Sequence, residues 1–507
     1  MAAPGDAAIA EREPVAEPAQ HGGRVGVVDI GSNTVRLVVY EAPTRLPIPV
    51  FNEKAQCALG RGIATTGKLN PEGVTEAIRS VRRFVRLAAA MGVDRLEMVA
   101  TAAVRDADDG VAFTRRVERA CGLPVHVLSG AEEARLAAVG LLSGVHDADG
   151  VLGDLGGGSL DLVGLNHGTI GEYATLPLGH LRLAEDSGGD HQKARKILDA
   201  QLDTVPWLSD MGGRAIYAVG GSWRALARVM IDQTHHPLHV IDNYTIGFFD
   251  AFRLANLVAG LSQSTLDRLT GVARNRVETL PFATMALAAL LELAGPREVV
   301  FSGFGMREGQ MLELLPEDLR HQDPLISACE SQAERTGRFA IRGRELLDWM
   351  TPLFADETED EKRLRHAACL LSDIGWSEHP DYRAVHAYHR VLRIPYAGLT
   401  HEARVQLALA VLVRYNGDVD DPIVAPVHNL LENSELERAR IVGLALRLAH
   451  TLAGSAPGLL SQTQLKVTKT RLTLELPKDR AVFLGEAVER RLRTLARTMN
   501  LKERIGG

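Results

Sequence analysis

The 507 residues predict an α/β protein, with two related lobes facing each other across a cleft and a mainly helical region after them. Three observations predict it. The segment RVGVVDIGSNTVRLVVYE (Arg24 to Glu41) aligns with DGVLGDLGGGSLDLVGLN (Asp149 to Asn166), so that Asp29 falls on Asp154, Gly31 on Gly156 and Thr34 on Ser159. Between the two segments, strand-like apolar runs alternate with amphipathic helices, the pattern of an α/β sheet. From about Gln332 onward, helical periodicity prevails.

Composition narrows the classes. A hydrophobic fraction of 46% suits a packed interior, and no apolar run is long enough to span a membrane. The net charge of −7 carries no overall basic signal for nucleic acid, so a polyanion would have to be held by a local patch. Cys57, Cys121, Cys329 and Cys369 lie far apart without a CxxC pair, which fits reduced thiols in a cytoplasmic protein. Residues 1–23 are rich in Ala, Pro and Glu and lack an apolar h-region. They are expected to form a disordered tail, not a signal peptide.

Each aligned segment reads as a β-hairpin: an apolar strand ending in Asp-x-Gly, a small-residue turn, and a second apolar strand. Their repetition implies two related halves, residues 24–149 and 150–314. In the second hairpin Gly156, Gly157 and Gly158 stand together, where glycine weakens a strand and offers nothing to pack. Bare amides in a tight turn bind phosphate oxygens because no Cβ blocks approach. An Asp ending the preceding strand is a natural Mg²⁺ partner. An ordinary Gly-rich turn is the competing reading, and recurrence of Asp in the same register weighs against it. No GxxxxGK[ST] loop is present.

The segments between and after the hairpins add polar groups. PEGVTEAIRSVRRFVRLAAAMG (Pro71 to Gly92) has the apolar spacing of an amphipathic helix. RLEMVATAAVRDADDG runs from a strand into a turn, and Thr101, Ala102 and Arg105 follow the strand's carboxyl end, where ligands of open α/β sheets sit. Arg105 there either forks onto phosphate oxygens or is a surface residue of a helix start. HVLSGAEEARL ends a strand at Leu128 and opens a helix near Ala131. Ser129 and Glu132 fit a capping box, which accounts for Glu132 and leaves Glu133 over. Glu133 is placed either to take a proton from an attacking water or to complement the helix dipole. AIYAVGGSWRALARVM is a strand, then Gly220, Gly221 and Ser222, then a helix. Its N-terminal amides suit a further phosphate, with a plain tight connection as the alternative. REVVFSGFGMREG runs from a strand through Gly303 and Gly305 into another helix.

In that order, DIGSNTVRL, ATAAVRDA, SGAEEARL, GDLGGGSLDL, AVGGSWRALA and SGFGMREG resemble the exopolyphosphatase / guanosine pentaphosphate phosphatase family. That family is a branch of the actin-like, sugar-kinase and heat-shock ATPase superfamily. The resemblance spans about Val25 to Leu314. It implies two actin-like (ribonuclease H-like) lobes and the Mg²⁺-dependent release of terminal orthophosphate from inorganic polyphosphate by water. It further implies Glu133 as the catalytic base, with Asp29 and Asp154 organising the divalent metal. Ser32, Asn33 and Arg105 would hold the terminal phosphates, together with the loops Gly156, Gly157, Gly158, Ser159 and Gly220, Gly221, Ser222. Three departures bear on substrate preference: Asp161 stands where many members carry Glu, Trp223 where a small or aliphatic residue is usual, and Glu278 where Asp is usual. Guanosine pentaphosphate is the second candidate substrate. A kinase or ATPase of the same superfold and a non-enzymatic polyphosphate or nucleotide sensor are the rivals, and assembly as a homodimer is left open.

Residues 315–507 resemble the HD-phosphohydrolase-like domain appended to longer exopolyphosphatases. A working HD domain carries LLHDIG, whereas this chain has LLSDIG, with Ser372 in place of the metal-binding His. No working metal site is expected there, although His366, His386, His389 and His450 remain. QLKVTKTRLTLELP predicts a strand pair, and GEAVERRLRTLARTMN a last helix. Its Arg490, Arg491 and Arg493 form either a solvated face or a path for a long polyphosphate chain.

Overall fold

Both expected hairpins form in the computed structural model, which describes residues 23–41, 45–46, 49–269, 274–336, 343–478 and 482–506. The tail expected over residues 1–23 lies outside the described residues apart from Gly23. Strands β1 (Arg24–Ile30) and β2 (Thr34–Tyr40) pair antiparallel with Asp29 opposite Arg36. With β3 (Pro49–Gln56), β4 (Val93–Ala100) and β5 (His126–Val127) they form a sheet in the order β3-β2-β1-β4-β5.

The second sheet repeats the plan. Its strands are β6 (Gly150–Leu155), β7 (Leu160–Asn166), β8 (Thr169–Leu176), β9 (Ala215–Val219), β10 (Tyr244–Gly247) and β11 (Glu298–Phe301). They are ordered β10-β11-β9-β6-β7-β8, with Asp154 opposite Asp161 across the β6–β7 pair. The two hairpin turns close with the same bond. Gly31 N donates to Thr34 O, and Gly156 N donates to Ser159 O, each at 3.0 Å. Residues on β6 and β7 are buried on both faces of the sheet, because helices cover both sides.

Two helices join the lobes. The helix Gly130–Leu142 turns Ala134, Ala137 and Leu141 toward the second sheet and Leu136 toward the first. The helix Met306–Glu313, which follows β11, buries Met311 and Leu312 among Val27, Val38 and Val99 of the first sheet. The two cross with Gly309 against the Leu136 carbonyl and Gly140 against the Gly305 carbonyl, where no Cβ would fit. The chain after β11 thus packs back onto the first lobe. Elsewhere a polar clasp spans the lobes. Arg182 Nη1 donates to Asp106 Oδ2 at 3.1 Å, and Gly62 N donates to Glu185 Oε2 at 3.1 Å.

Trp223 is fully buried, its Nε1 donating to Ala283 O at 2.8 Å. A Cβ at Gly153 would come within 2.9 Å of its ring, so the bare Gly153 makes room for the indole. Trp223 is a core anchor of the second lobe. Its departure from the family pattern is matched by packing, with the bare Gly153 beside it.

The C-terminal region is helical around one large core, which also takes in Leu46 and Leu238 from the lobes. It docks on the second lobe through Asn243 Nδ2, which donates to Leu399 O at 3.0 Å, and through His236 Nε2 facing His401 Nδ1 at 2.6 Å. The expected strand pair is β12 (Gln464–Val467) with β13 (Arg471–Glu475). A third strand, β14 (Lys502–Gly506), runs parallel to β13 after the last helix, Glu486–Thr498. Its charged, largely exposed residues gave it no strand pattern in the sequence. In the LLSDIG stretch, Arg414 Nη2 donates to Asp373 at 3.0 Å, and His450 Nε2 lies 2.9 Å from Ser372 Oγ. A guanidinium therefore supplies positive charge beside Asp373. All four cysteines are free. Among the described residues, no helix is long and apolar enough to cross a membrane.

Candidate active site

The loops at the carboxyl ends of β1, β4, β6, β9 and β11 converge on one cavity of about 180 Å³. The first hairpin brings Asp29, Ser32 and Asn33 to it. The second brings Asp154, Gly156, Gly157, Gly158 and Ser159, and the third glycine loop brings Gly220, Gly221 and Ser222. Glu133 reaches the same cavity from the first turn of its helix. The capping box beneath it is complete: Ser129 N donates to Glu132 Oε2 at 2.8 Å, and Glu132 N donates to Ser129 Oγ at 3.2 Å. The cap occupies Glu132, while Glu133, one position further round the helix, turns inward.

Close approach accounts for two glycines of the triplet, Gly157 and Gly158, whereas a Cβ at Gly156 would meet nothing nearer than 3.5 Å. None of the three adopts a positive φ. A Cβ at Gly157 would stand 3.1 Å from both Ser32 Cβ and Leu181 Cδ1. One at Gly158 would stand 3.0 Å from Ser32 Oγ and 3.2 Å from Ala102 Cβ. The bare backbone lets the second hairpin lie against the first, so amides from both lobes share one small space. Gly220 is different. Its φ of 106° lies in glycine's territory, and a Cβ there would come within 3.0 Å of Asp154 Oδ1.

Charge is concentrated here. Arg105 Nη1 donates to Glu133 Oε2 at 2.9 Å and to Leu128 O at 3.1 Å. Burial, and then the nearby Asp161 carboxylate, push the Glu133 carboxyl well above the usual range, against the pull of Arg105. Burial raises Asp161 as well, and Ser159 Oγ donates to its Oδ2 at 3.3 Å. Burial lifts Asp154 to about 6 and raises Asp29, with Arg307 opposing the shift in both. Arg307 Nε lies 3.9 Å from Asp29 Oδ2.

Sequence reasoning missed four arginines that line the cavity: Arg36, Arg224, Arg276 and Arg307. Burial lowers Arg36 and Arg224 to about 10, and in each case repulsion from Arg307 adds to it. Signals for three of them were available. Arg36 occupies the register position facing Asp29, and Arg224 and Arg307 sit in the first turns of helices that follow glycine loops. His180 also lines the cavity, and burial, reinforced by Arg276, lowers it to about 4. It is therefore a neutral imidazole at ordinary pH.

The family model of the Ppx/GppA phosphatases matches residues 38–318, more than half of the chain. The chain belongs to the Ppx/GppA phosphatase family. A second model, the exopolyphosphatase C-terminal domain, matches residues 325–505. Exopolyphosphatase 1 of Mycobacterium tuberculosis is 29% identical over 313 residues, covering 58% of this chain and 89% of its own. Retrograde regulation protein 2 of Saccharomyces cerevisiae is 25% identical over 435 residues, 78% of this chain and 73% of its own. Among solved structures, an exopolyphosphatase from Cytophaga hutchinsonii superposes with a TM-score of 0.51 at 22% identity, over 57% of this chain and 97% of its own. An exopolyphosphatase-like protein superposes with a TM-score of 0.52 at 22% identity, over 58% and 98%. These likenesses establish the actin-like fold of the lobes.

Not every residue singled out converges in this Ppx/GppA phosphatase. Arg105 does not line the cavity; its guanidinium is engaged by Glu133, Leu128 and Asp106. Arg490, Arg491 and Arg493 are not at the cavity either. Arg493 Nε binds Glu503 at 3.0 Å, Arg490 lies 3.8 Å from Glu486, and Arg491 Nη1 donates to Arg447 O at 3.5 Å.

Proposed function

We infer that this chain is an exopolyphosphatase, a phosphoanhydride hydrolase that releases terminal orthophosphate from inorganic polyphosphate. One observation carries the reading. A carboxylate with a raised proton affinity, Glu133, faces the same small cavity as two sets of glycine-loop amides and four guanidinium groups. Related chains bearing the name exopolyphosphatase support it.

In this reading the terminal phosphate sits against the amides of Gly157, Gly158 and Ser159 and those of the Gly220–Ser222 loop. Arg307 and Arg224 stabilise charge on its oxygens as it grows in the transition state. Arg105 fixes Glu133 through Oε2, so the other oxygen takes the proton of the attacking water. Arg105 is thus a positioning residue. Asp29 and Asp154 fit a divalent cation: burial raises both, a cost that a cation relieves, and the bare Gly220 leaves space beside Asp154 Oδ1. Among the described residues, no group of three or more His, Cys, Asp or Glu is arranged to hold a metal alone. That suits Mg²⁺, which takes one or two carboxylates and keeps water and substrate phosphates as its other ligands. When bound, Mg²⁺ screens the phosphate charge and polarises the phosphoryl group. The working units in this proposal are the lobes 24–149 and 150–314 and the helical module 315–507, with the crossing helices as the joint.

The test is phosphate release from long polyphosphate, tripolyphosphate, guanosine pentaphosphate and ATP, assayed side by side with Mg²⁺ and with a chelator. Polyphosphate should be turned over fastest, and the chelator should abolish release. Release from guanosine pentaphosphate alone would overturn the assignment.

A further inference from the structure

The cavity, of about 180 Å³, has room only for the end of a chain, yet the cations extend beyond it. In the first lobe, Asp29, Arg36 and Lys54 are directly opposite one another across β1, β2 and β3. Residues so placed point to one face, and strands lie about 4.8 Å apart, so Lys54 stands roughly 10 Å outward from Asp29 along a single row. In the second lobe, Arg224 and Arg228 lie one helical turn apart on the helix Gly221–Gln233, with Arg228 Nη1 donating to Arg224 O at 3.4 Å. Arg276 lies beside the same helix start: a Cβ on Gly221 would stand 2.5 Å from its Nη2.

These rows break two ordinary rules. Like charges facing each other across strands, or one turn apart on a helix, destabilise a fold. Among the described residues, none of Arg36, Lys54, Arg224, Arg228 and Arg276 has an acidic side chain within ion-pair distance. Glu53, next to Lys54 on the opposite face, is taken by Arg83 at 2.5 Å. Lys54 is lowered chiefly by burial, then by Arg276, Arg36 and Arg228, so cations of both lobes act on one place.

We propose that a long polyphosphate chain leaves the cavity between these two rows, with Lys54 and Arg228 at the mouth holding phosphates several units back from the one cleaved. This rests on the exopolyphosphatase reading for its substrate class. It assigns chain-length preference to the mouth between β3 and the helix Gly221–Gln233, and not to the last helix of the C-terminal module. A substrate of three phosphates ends inside the cavity and never meets either side chain.

The experiment compares wild type, the double variant Lys54→Gln/Arg228→Gln, and the triple variant Arg490→Gln/Arg491→Gln/Arg493→Gln. Binding of labelled long-chain polyphosphate is titrated over a range of salt, and phosphate release is measured from the long chain and from tripolyphosphate. For the double variant the long-chain Kd and KM should rise about tenfold. The slope of log Kd against log salt should fall by roughly 1 to 1.5, the counterion-release value for two lost contacts to a single strand. Its tripolyphosphate KM and kcat should stay within about twofold of wild type, and the triple variant should bind like wild type. Long-chain binding unchanged in the double variant, or weakened equally for both lengths, overturns the track. If wild type binds long chains and loses that binding on double substitution, yet releases no phosphate, the track stands and the hydrolase reading falls.

Discussion

Glu133 and Glu132 are neighbours with opposite duties. Glu132 closes the helix cap with Ser129, whereas Glu133 faces the cavity, is pushed up by the nearby Asp161 carboxylate and rests on Arg105. Glu133→Gln should lower kcat by about 10² to 10⁴ with little change in KM, as expected for loss of a general base. Glu132→Gln should keep full activity and cost at most about 1 kcal/mol in a denaturant titration. The pH profile gives a finer test. Glu133 works only when deprotonated, and its proton affinity is raised, so activity should fail as pH drops through a point well above the ordinary Glu value. Asp161→Asn removes one cause of that rise and should move the acid limb to lower pH. An acid limb that stays put in Asp161→Asn would refute the coupling. Asp29, Asp154 and Glu133 were legible in the sequence because each sits at a fixed offset from a strand end or cap. Arg276 was not, since only tertiary folding brings the segment before the helix Leu280–Ala294 to the Gly221 loop.

Hairpins were the most legible elements. Strand, Asp-x-Gly and small-residue turn recur in one register, and the structure repeats even the bond that closes each turn. What the sequence hid was the reason for Gly157 and Gly158. Their φ values are ordinary, and the demand comes from Ser32, Ala102 and Leu181 pressing against them. Gly157→Ala should therefore fold with near-wild-type stability while pushing the hairpins apart by a few tenths of an ångström. We expect kcat/KM to fall at least about tenfold, because reacting groups lose alignment steeply with displacement. Wild-type kinetics in Gly157→Ala would mean that the hairpins can part without cost to the chemistry. The last helix was legible as a basic element, but its local acids were not foreseen as partners. Glu503 comes from β14, the strand that no alternation announced.

Two kinds of contact hold the whole molecule in one arrangement, and they respond differently to solution conditions. His236 and His401 meet where the C-terminal module docks on the second lobe. Burial holds both below the ordinary His value, His401 to about 3 with help from His236 and Arg404, while Glu402 opposes the shift at His236. Unfolding lets them bind protons at ordinary affinity, so this stabilisation is complete above about pH 6.5, begins to fall below it and declines progressively toward the folded-state value, about 3 for His401. The melting temperature should drop by a few degrees between pH 7.5 and pH 5.5, and His236→Gln should reduce that drop. The helices Gly130–Leu142 and Met306–Glu313 press glycine to carbonyl at two points, with Leu136, Met311 and Leu312 packed in one cluster and Arg135 paired to Glu313 alongside. So tight a joint suits a hinge better than a sliding contact, and the Arg182–Asp106 and Gly62–Glu185 contacts join the lobes elsewhere. With the lobes joined by these contacts, we expect opening to release orthophosphate to be the slow step. Ionic strength then pulls two ways: it loosens the half-exposed Arg182–Asp106 contact and quickens release, while it weakens the grip on the incoming chain. Rising salt should raise kcat and KM together, a signature that a rigidly open cleft would never produce.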